Sequence, residues 1–315
     1  MAARIRNTSA RESSSLATRW GSAIVPIEPH VFRRFQSLIQ GESGIRLADV
    51  KKALLTGRLG RRLRELGLTS FGEYLRRVEA DEPERIRMLD LITTNETRFF
   101  RESRQFELLD SDVLPGWAAE AAQGKRARRV RVWSAGCSTG EEPFSLAMLL
   151  LTHFPRDWDL DILATDLSTR VLERARAAVW PLSKAKEIPP AFLRTFMLRG
   201  TGPEEGRMKA GPEIRAFVRF ERLNLNDASY EVEGPFDLIL CRNVLIYFDP
   251  EGKRRVIARL LSHLSPTGFL LVGHAESLNG ITDRVRAVMP SVYTAGCAPA
   301  RARPLRSRRE GLGVP

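Results

Sequence analysis

The segment SAGCSTGEEP, residues 134–143, joins an apolar run to a helical one and sets Gly136 and Gly140 just ahead of Glu141 and Glu142. Small residues at a strand-to-helix crossover let a ligand approach the backbone. The spacing is not GxGxxG, and no Lys-Ser/Thr pair follows, as a phosphate-cradling loop needs. Carboxylates at a helix start also suit the helix dipole, so capping alone accounts for them. As ligand-facing groups they would repel a diphosphate and favour a cationic ligand. That argues against NAD or ATP and towards S-adenosylmethionine, with its sulfonium and ammonium. Asp166 ends the next apolar run, 26 residues beyond Gly140. An acidic residue there commonly takes ribose hydroxyls, and otherwise caps a helix. LCRNVLIYFDP (240–250) places Arg242, Asn243 and Tyr247 after a third apolar run. Open sheets bind ligands at that edge. TTNETRFFRE (93–102) sets Asn95, Thr97 and Arg101 around Phe99-Phe100; read alone, it is a helix end on an aromatic anchor.

Bringing these groups to one edge requires alternating elements. RVRVWSAG (129–136), LDILATD (160–166), FVRFERLNL (217–225), FDLILCRN (236–243) and FLLVGH (269–274) predict strands. EEPFSLAMLLLTHF (141–154), STRVLERARAAV (168–179) and PEGKRRVIARLLSHL (250–264) predict helices. The alternation predicts an α/β, doubly wound parallel sheet. Residues 181–216 break it with five prolines and the Gly-spaced turn RGTGPEEG, which predicts an inserted lobe. From Pro29 to about Asn95 the apolar spacing is helical. Phe32, Phe35 and Ile39 mark one helix. Leu47, Val50, Leu54, Leu59, Leu63 and Leu66 mark a second, interrupted near Gly57 and Gly60. Phe71, Tyr74, Leu75 and Val78 mark a third, and Ile86, Leu89 and Ile92 a fourth.

The length of 315 residues suits two domains, one carrying an insert. No apolar run reaches the roughly 20 residues a bilayer needs, and the first residues lack a secretory apolar stretch. Cys137, Cys241 and Cys297 form no CxxC pair, and the four His are scattered, so neither a disulfide framework nor a metal site is expected. These features predict a cytoplasmic protein without a metal. The formal net charge is +12, of which residues 1–20 supply +3 and residues 297–315 +4. With so much of the excess on two basic arms, the pI is a weak sign of nucleic-acid binding. The internal cluster at 51–64 (Lys51, Lys52, Arg58, Arg61, Arg62, Arg64) reads either as a solvated helix face or as a contact for an acidic partner.

Jointly, these motifs resemble the CheR family of chemotaxis receptor methyltransferases. TTNETRFFRE, SAGCSTGEEPFS, ATDLS, NLND and FDLILCRNVLIYFD stand in the family's order, and GHAESL (273–278) is similar to its late strand end. The resemblance runs from about residue 26 to 297. It implies a Rossmann-like S-adenosylmethionine-dependent methyltransferase domain (98–297) with a small antiparallel β-subdomain inserted at 181–216. An all-α N-terminal domain (26–97) precedes it, and basic arms (1–25 and 298–315) lie outside it. It implies cofactor contacts at Asn95, Thr97, Arg101, Glu142 and Asp166, and at Asn224, Leu225, Asn243 and Val244, with Gly136 and Arg242 beside them. Arg101 and Tyr247 match positions near the transferred methyl. RGTGPEEG resembles the loop of members that dock a receptor's C-terminal peptide. Cys137 and Phe144 depart from the small residue and Tyr of the family pattern.

The implied reaction is methyl transfer from S-adenosylmethionine to a glutamate carboxylate on a chemoreceptor cytoplasmic helix. An acceptor with a pKa of about 4.3 is ionised at neutral pH, so no strong base is needed. The expected species is a monomer with no specific nucleic-acid partner and no membrane insertion. Two rivals differ in class. A nucleic-acid methyltransferase would carry an NPPY-type motif or a Pro-Cys nucleophile, and neither is present. A non-catalytic receptor-binding scaffold on the same fold would have lost cofactor residues, whereas Asn95, Arg101, Glu142, Asp166 and Asn243 all stand.

Overall fold

The computed structural model describes residues 25–296. Helix α1 (Pro29–Ser43) starts on a proline suited to the first turn and stops at Gly44, whose φ of 72° ends the helix. Its Phe32, Phe35 and Ile39 are buried, as the spacing predicts. Helix α2 (Lys52–Glu65) runs unbroken through Gly57 and Gly60, where an interruption was expected. Each glycine costs about 1 kcal/mol in a helix. Burial of Leu55, Leu59 and Leu63 on one face offsets that cost. Val50 is not part of this face; it is 89% exposed. Helix α3 (Phe71–Ala80) opens with a Ser70–Glu73 capping box, and Asp81 caps α4 (Glu82–Ile92). Helices α5 (Ser103–Leu108) and α6 (Leu114–Ala122) are joined by a π turn that the apolar periodicity does not announce.

The α/β part begins with β1 (Arg129–Ala135), α7 (Glu141–His153), β2 (Asp159–Asp166) and α8 (Thr169–Ala177). The insert then contributes β3 (Val179–Pro181), α9 (Pro190–Phe196), β4 (Met197–Arg199), β5 (Arg207–Ala210) and α10 (Pro212–Arg215). The chain closes with β6 (Val218–Arg222), β7 (Phe236–Cys241), α11 (Pro250–Ser262), β8 (Leu264–Val272), β9 (Val285–Met289) and β10 (Val292–Ala295). The main sheet has the order β6-β2-β1-β7-β8-β10-β9. Its first five strands are parallel, and β10 runs antiparallel to β8 and β9. The insert forms a separate antiparallel sheet, β3-β5-β4. The β9–β10 hairpin is not among the predicted strands, because half-buried β9 lacks an apolar run.

Alternating residues of β1 reach both faces of the sheet. Val130 and Val132 join the core beneath α6 and α7, while Trp133 and Ala135 join the one beneath α11. Order reverses at β1, so the crevice beyond its carboxyl end is where such folds take ligands. A third core belongs to α1–α4. There the Glu84 carboxylate, 4% exposed, accepts from Arg62 at 2.9 and 2.7 Å and from the Tyr74 hydroxyl at 2.9 Å. Burial pushes the Glu84 pKa up, but Arg62 and Tyr74 outweigh it and hold the group below its ordinary value.

A pKa lowered on folding stabilises the protein above the unfolded value, about 4.3, and the contribution disappears as pH falls through the folded value. Glu84→Ala should therefore lower stability at neutral pH by about 3 kcal/mol in urea denaturation. Glu84→Gln should lose the acid-side part of the pH dependence. Wild-type stability in both variants would refute the role of this triad.

Candidate active site

A cleft, about 1160 Å³ with the solvent at its open mouth included, lies between the helical domain and the carboxyl edge of the main sheet. All twelve site residues singled out in the sequence border it. Asn95, Thr97 and Arg101 come from the segment after α4, and Gly136 and Glu142 from the β1–α7 crossover. Asp166 ends β2, and Asn224 and Leu225 follow β6. Arg242, Asn243, Val244 and Tyr247 follow β7. The helical domain supplies Ile45, Arg46, Lys51 and Leu54 to the opposite wall, which the sequence reading did not find. Leu54 was expected in the helical core; it sits on the flank of α2 and faces the cleft instead.

Gly136 borders the cleft and Gly140 does not. Gly136 has φ +92°, and a Cβ there would lie 2.5 Å from Cγ2 of Val244. Its missing side chain lets two loops meet, as well as permitting the backbone angle. Gly140, also at φ +92°, packs its backbone against Ala175. The two carboxylates that follow are separated in space. Glu141 is buried, pairs with Nζ of Lys184 at 2.5 Å, and does not border the cleft. Glu142 borders it but accepts from Ser134 Oγ and Arg242 Nε, each at 2.7 Å. Each carboxylate has a protein cation, so the pair is not the free anionic patch that the sequence suggested.

Asp166 does not cap α8; Ser168 does. Instead its two oxygens accept the Ser138 and Ser168 amides, both at 2.9 Å, which fixes the carboxylate at the rim of the crevice. Burial pushes its pKa above the ordinary value, opposed by those amides. Asn243 stands at φ +58°, and its Oδ1 is buried without a partner. Four non-glycine residues around the cleft have positive φ: Phe100, Glu102, Ser138 and Asn243. Such angles cost about 1–3 kcal/mol each and persist only where surroundings enforce them.

The enforcement at Phe100 and Glu102 is visible. The Arg242 guanidinium, 2% exposed, donates through Nη1 to the Arg101 carbonyl at 2.6 Å and to Gln105 Oε1 at 2.9 Å. Ser145 Oγ accepts the Phe100 amide at 3.0 Å. Arg101 turns its own Nη1 to the Glu96 carbonyl at 2.9 Å. Phe99 meets Trp180 edge-on at 5.0 Å, and Phe100 stacks on Phe192 at 5.4 Å, so the aromatic pair is indeed an anchor. Tyr247 lies beneath the Lys51 ammonium, 5.6 Å from its ring centre, and its carbonyl accepts the Arg46 amide at 2.8 Å. Cys137 and Cys241 are free and buried, and burial pushes both thiols well above their usual range. Cys297 lies outside the described residues.

Residues 30–93 match the CheR methyltransferase all-alpha domain, and residues 95–294 match the CheR methyltransferase SAM binding domain. The chain belongs to the CheR methyltransferase family. It is 41% identical over 267 residues to the chemotaxis protein methyltransferase of Escherichia coli K12, covering 83% of this chain and 89% of that one. It is 42% identical to the Salmonella typhimurium LT2 counterpart, covering 83% and 88%. It is 38% identical over 264 residues to chemotaxis protein methyltransferase 2 of Pseudomonas aeruginosa, covering 84% and 92%. This CheR-family chain is thus an S-adenosylmethionine-dependent methyltransferase. Its cleft suits that donor: a carboxylate with fixed geometry at Asp166 and an unpaired acceptor at Asn243 Oδ1 stand where a polar nucleoside can meet them.

Gly136→Ala tests the loop contact. It should destabilise the protein by about 2 kcal/mol or more, from the overlap and the backbone angle together. Adding Val244→Ala should recover only part, since the angle remains. Thermal melting of the three proteins distinguishes these outcomes; an unshifted Gly136→Ala would contradict the contact.

Proposed function

We propose that this protein transfers a methyl group from S-adenosylmethionine to glutamate side chains on chemoreceptor cytoplasmic helices, forming methyl esters. One observation carries the reading: the twelve residues implied by five separate motifs border a single cleft, Arg101 and Tyr247 among them. The bound cofactor supplies an electrophilic methyl group. Asp166 accepts its ribose hydroxyls, and Asn243 Oδ1 accepts a further donor. Thr97, Asn95, Glu142 and the 224–225 turn shape the remaining contacts. Arg242, with its guanidinium engaged by Glu142 and Gln105, serves by holding the wall. Arg101 holds the acceptor carboxylate by charge-assisted hydrogen bonds. The Tyr247 hydroxyl orients it, and the helical-domain wall excludes water. Positioning of this kind supplies roughly 7–11 kcal/mol in favourable cases.

Charge supports an acidic acceptor helix. Arg46 and Lys51 border the cleft on the helical-domain side. The cluster at 51–64 is only partly available to it. Arg58 bonds the Ile92 and Thr93 carbonyls at the end of α4, and Arg62 pairs with Glu84. The inserted sheet ends on β4, an edge strand paired on one side with β5, whose Leu198 is 54% exposed. That edge supports docking of a receptor's C-terminal peptide by strand addition. On this reading residues 26–97 form the acceptor-facing domain and 98–297 the methyl-transfer domain, working as a monomer in the cytoplasm. No helix among the described residues is long and apolar enough to cross a membrane.

Arg101→Ala should cut methyl transfer to receptor-bearing membranes at least about 100-fold. Retained turnover would remove Arg101 from the mechanism. Wild-type protein should bind S-adenosylhomocysteine in calorimetry, and Asp166→Ala should not. Because the Asp166 pKa is raised, affinity should decline on acidification before reaching the usual Asp value of about 3.9. A profile flat through that region would count against Asp166 as an acceptor.

A further inference from the structure

The inserted lobe touches the backbone of the loops that wall the cofactor cleft. Its 3-10 segment, Leu182–Glu187, lies against the stretch that carries Thr97 and Arg101. Lys184 Nζ donates to the Thr97 carbonyl at 3.0 Å and to Glu141 Oε1 at 2.5 Å. Glu187 Oε2 accepts the Phe99 amide at 3.0 Å. Trp180 Nε1 donates to the Thr139 carbonyl at 3.2 Å. The main domain contributes Ser145 to the Phe100 amide and Arg242 to the Arg101 carbonyl. Thr97, Phe99, Phe100 and Arg101 each therefore have a backbone group tied by a side chain, two of the four from the lobe. The stretch needs such ties, because Phe100 and Glu102 sit at φ +49° and +62°.

We propose that Lys184 and Glu187 are positioning residues for cofactor binding, acting through the Thr97–Arg101 backbone. Neither borders the cleft, so neither touches the ligand. Lys184 also supplies the counter-charge for Glu141, whose side chain is 1% exposed at the first turn of α7. One cation thus joins both cofactor loops, the one before Arg101 and the one after Gly136. The lobe sets the shape of the cleft in addition to any docking role. This inference rests on the cofactor reading above.

Calorimetric titration of the full chain with S-adenosylhomocysteine tests it. Lys184→Met and Glu187→Ala should each raise Kd about tenfold or more. Lys184→Arg keeps a cation, and Glu187→Gln keeps an acceptor oxygen for the Phe99 amide; both should stay within about threefold of wild type. That rescue separates a directed hydrogen bond from general packing, which the conservative variants would disturb as much. Unchanged affinity in Lys184→Met and Glu187→Ala, with tight wild-type binding, overturns the inference and leaves the cofactor site standing. Equal losses in all four variants overturn it too. Absent binding by folded wild type sinks the cofactor reading beneath it. Should Lys184→Met fail to fold, Glu187→Ala and its Gln partner decide the matter alone.

Discussion

The buried guanidinium of Arg242 is the interaction on which the site depends. A charge withdrawn from water must find an opposite charge and acceptors for its protons. Arg242 finds Glu142 at the start of α7, Gln105 on α5 and the carbonyl of Arg101. Glu142 in turn takes the hydroxyl of Ser134 on β1. Gln105 passes its amide to the Val272 carbonyl and the Ser291 hydroxyl, reaching β8 and the β9–β10 turn. One side chain thus ties β1, β7, β8, α5 and α7 at the sheet's carboxyl edge. The strained backbone around Arg101 is held because moving it would strand that charge.

The cleft also depends on contacts between the two domains. Asn224 and Asn226, after β6, donate to the Glu42 and Gly41 carbonyls at the end of α1. Ser138 Oγ reaches the Asn95 carbonyl at 2.9 Å, and Thr169 reaches buried Asp90 on α4 at 2.8 Å. Most of these join short polar side chains to backbone groups, which fixes distance with little loss of side-chain freedom. The methyltransferase sheet supplies the ligand-facing edge, and the helices close the other side. Neither domain by itself encloses the space.

The central strands were legible in the sequence because they are buried on both faces and read as apolar runs. Much of the cleft lining was legible because many of its residues follow the ends of those runs. Other features left no local signal. Glu141 and Glu142 are neighbours in sequence, yet one meets Lys184 and the other Arg242. No spacing rule separates them, since the partners lie 43 and 100 residues away. Gly136 borders the cleft, and nothing in the local sequence announced its close approach to Val244 on another strand's loop. Leu54 and Leu55 both fit a helical stripe, and only the facing domain decides which one turns to the cleft. Glycines 57 and 60 looked like a break because local propensity was weighed without the buried leucine face.

The Lys184–Glu141 pair bears on how such a lobe is inherited. An insertion that merely decorates a loop can be excised or transplanted, with the host closing behind it. Here excision would leave Glu141 buried without its cation and the Phe99 amide without its acceptor. A host lacking an acidic residue at the first turn of α7 would likewise have no counterpart for Lys184. The lobe and the two loops beneath it therefore form one heritable unit. They would have to be exchanged together between proteins of this fold, although Lys184 stands 43 residues beyond Glu141 and 87 beyond Thr97.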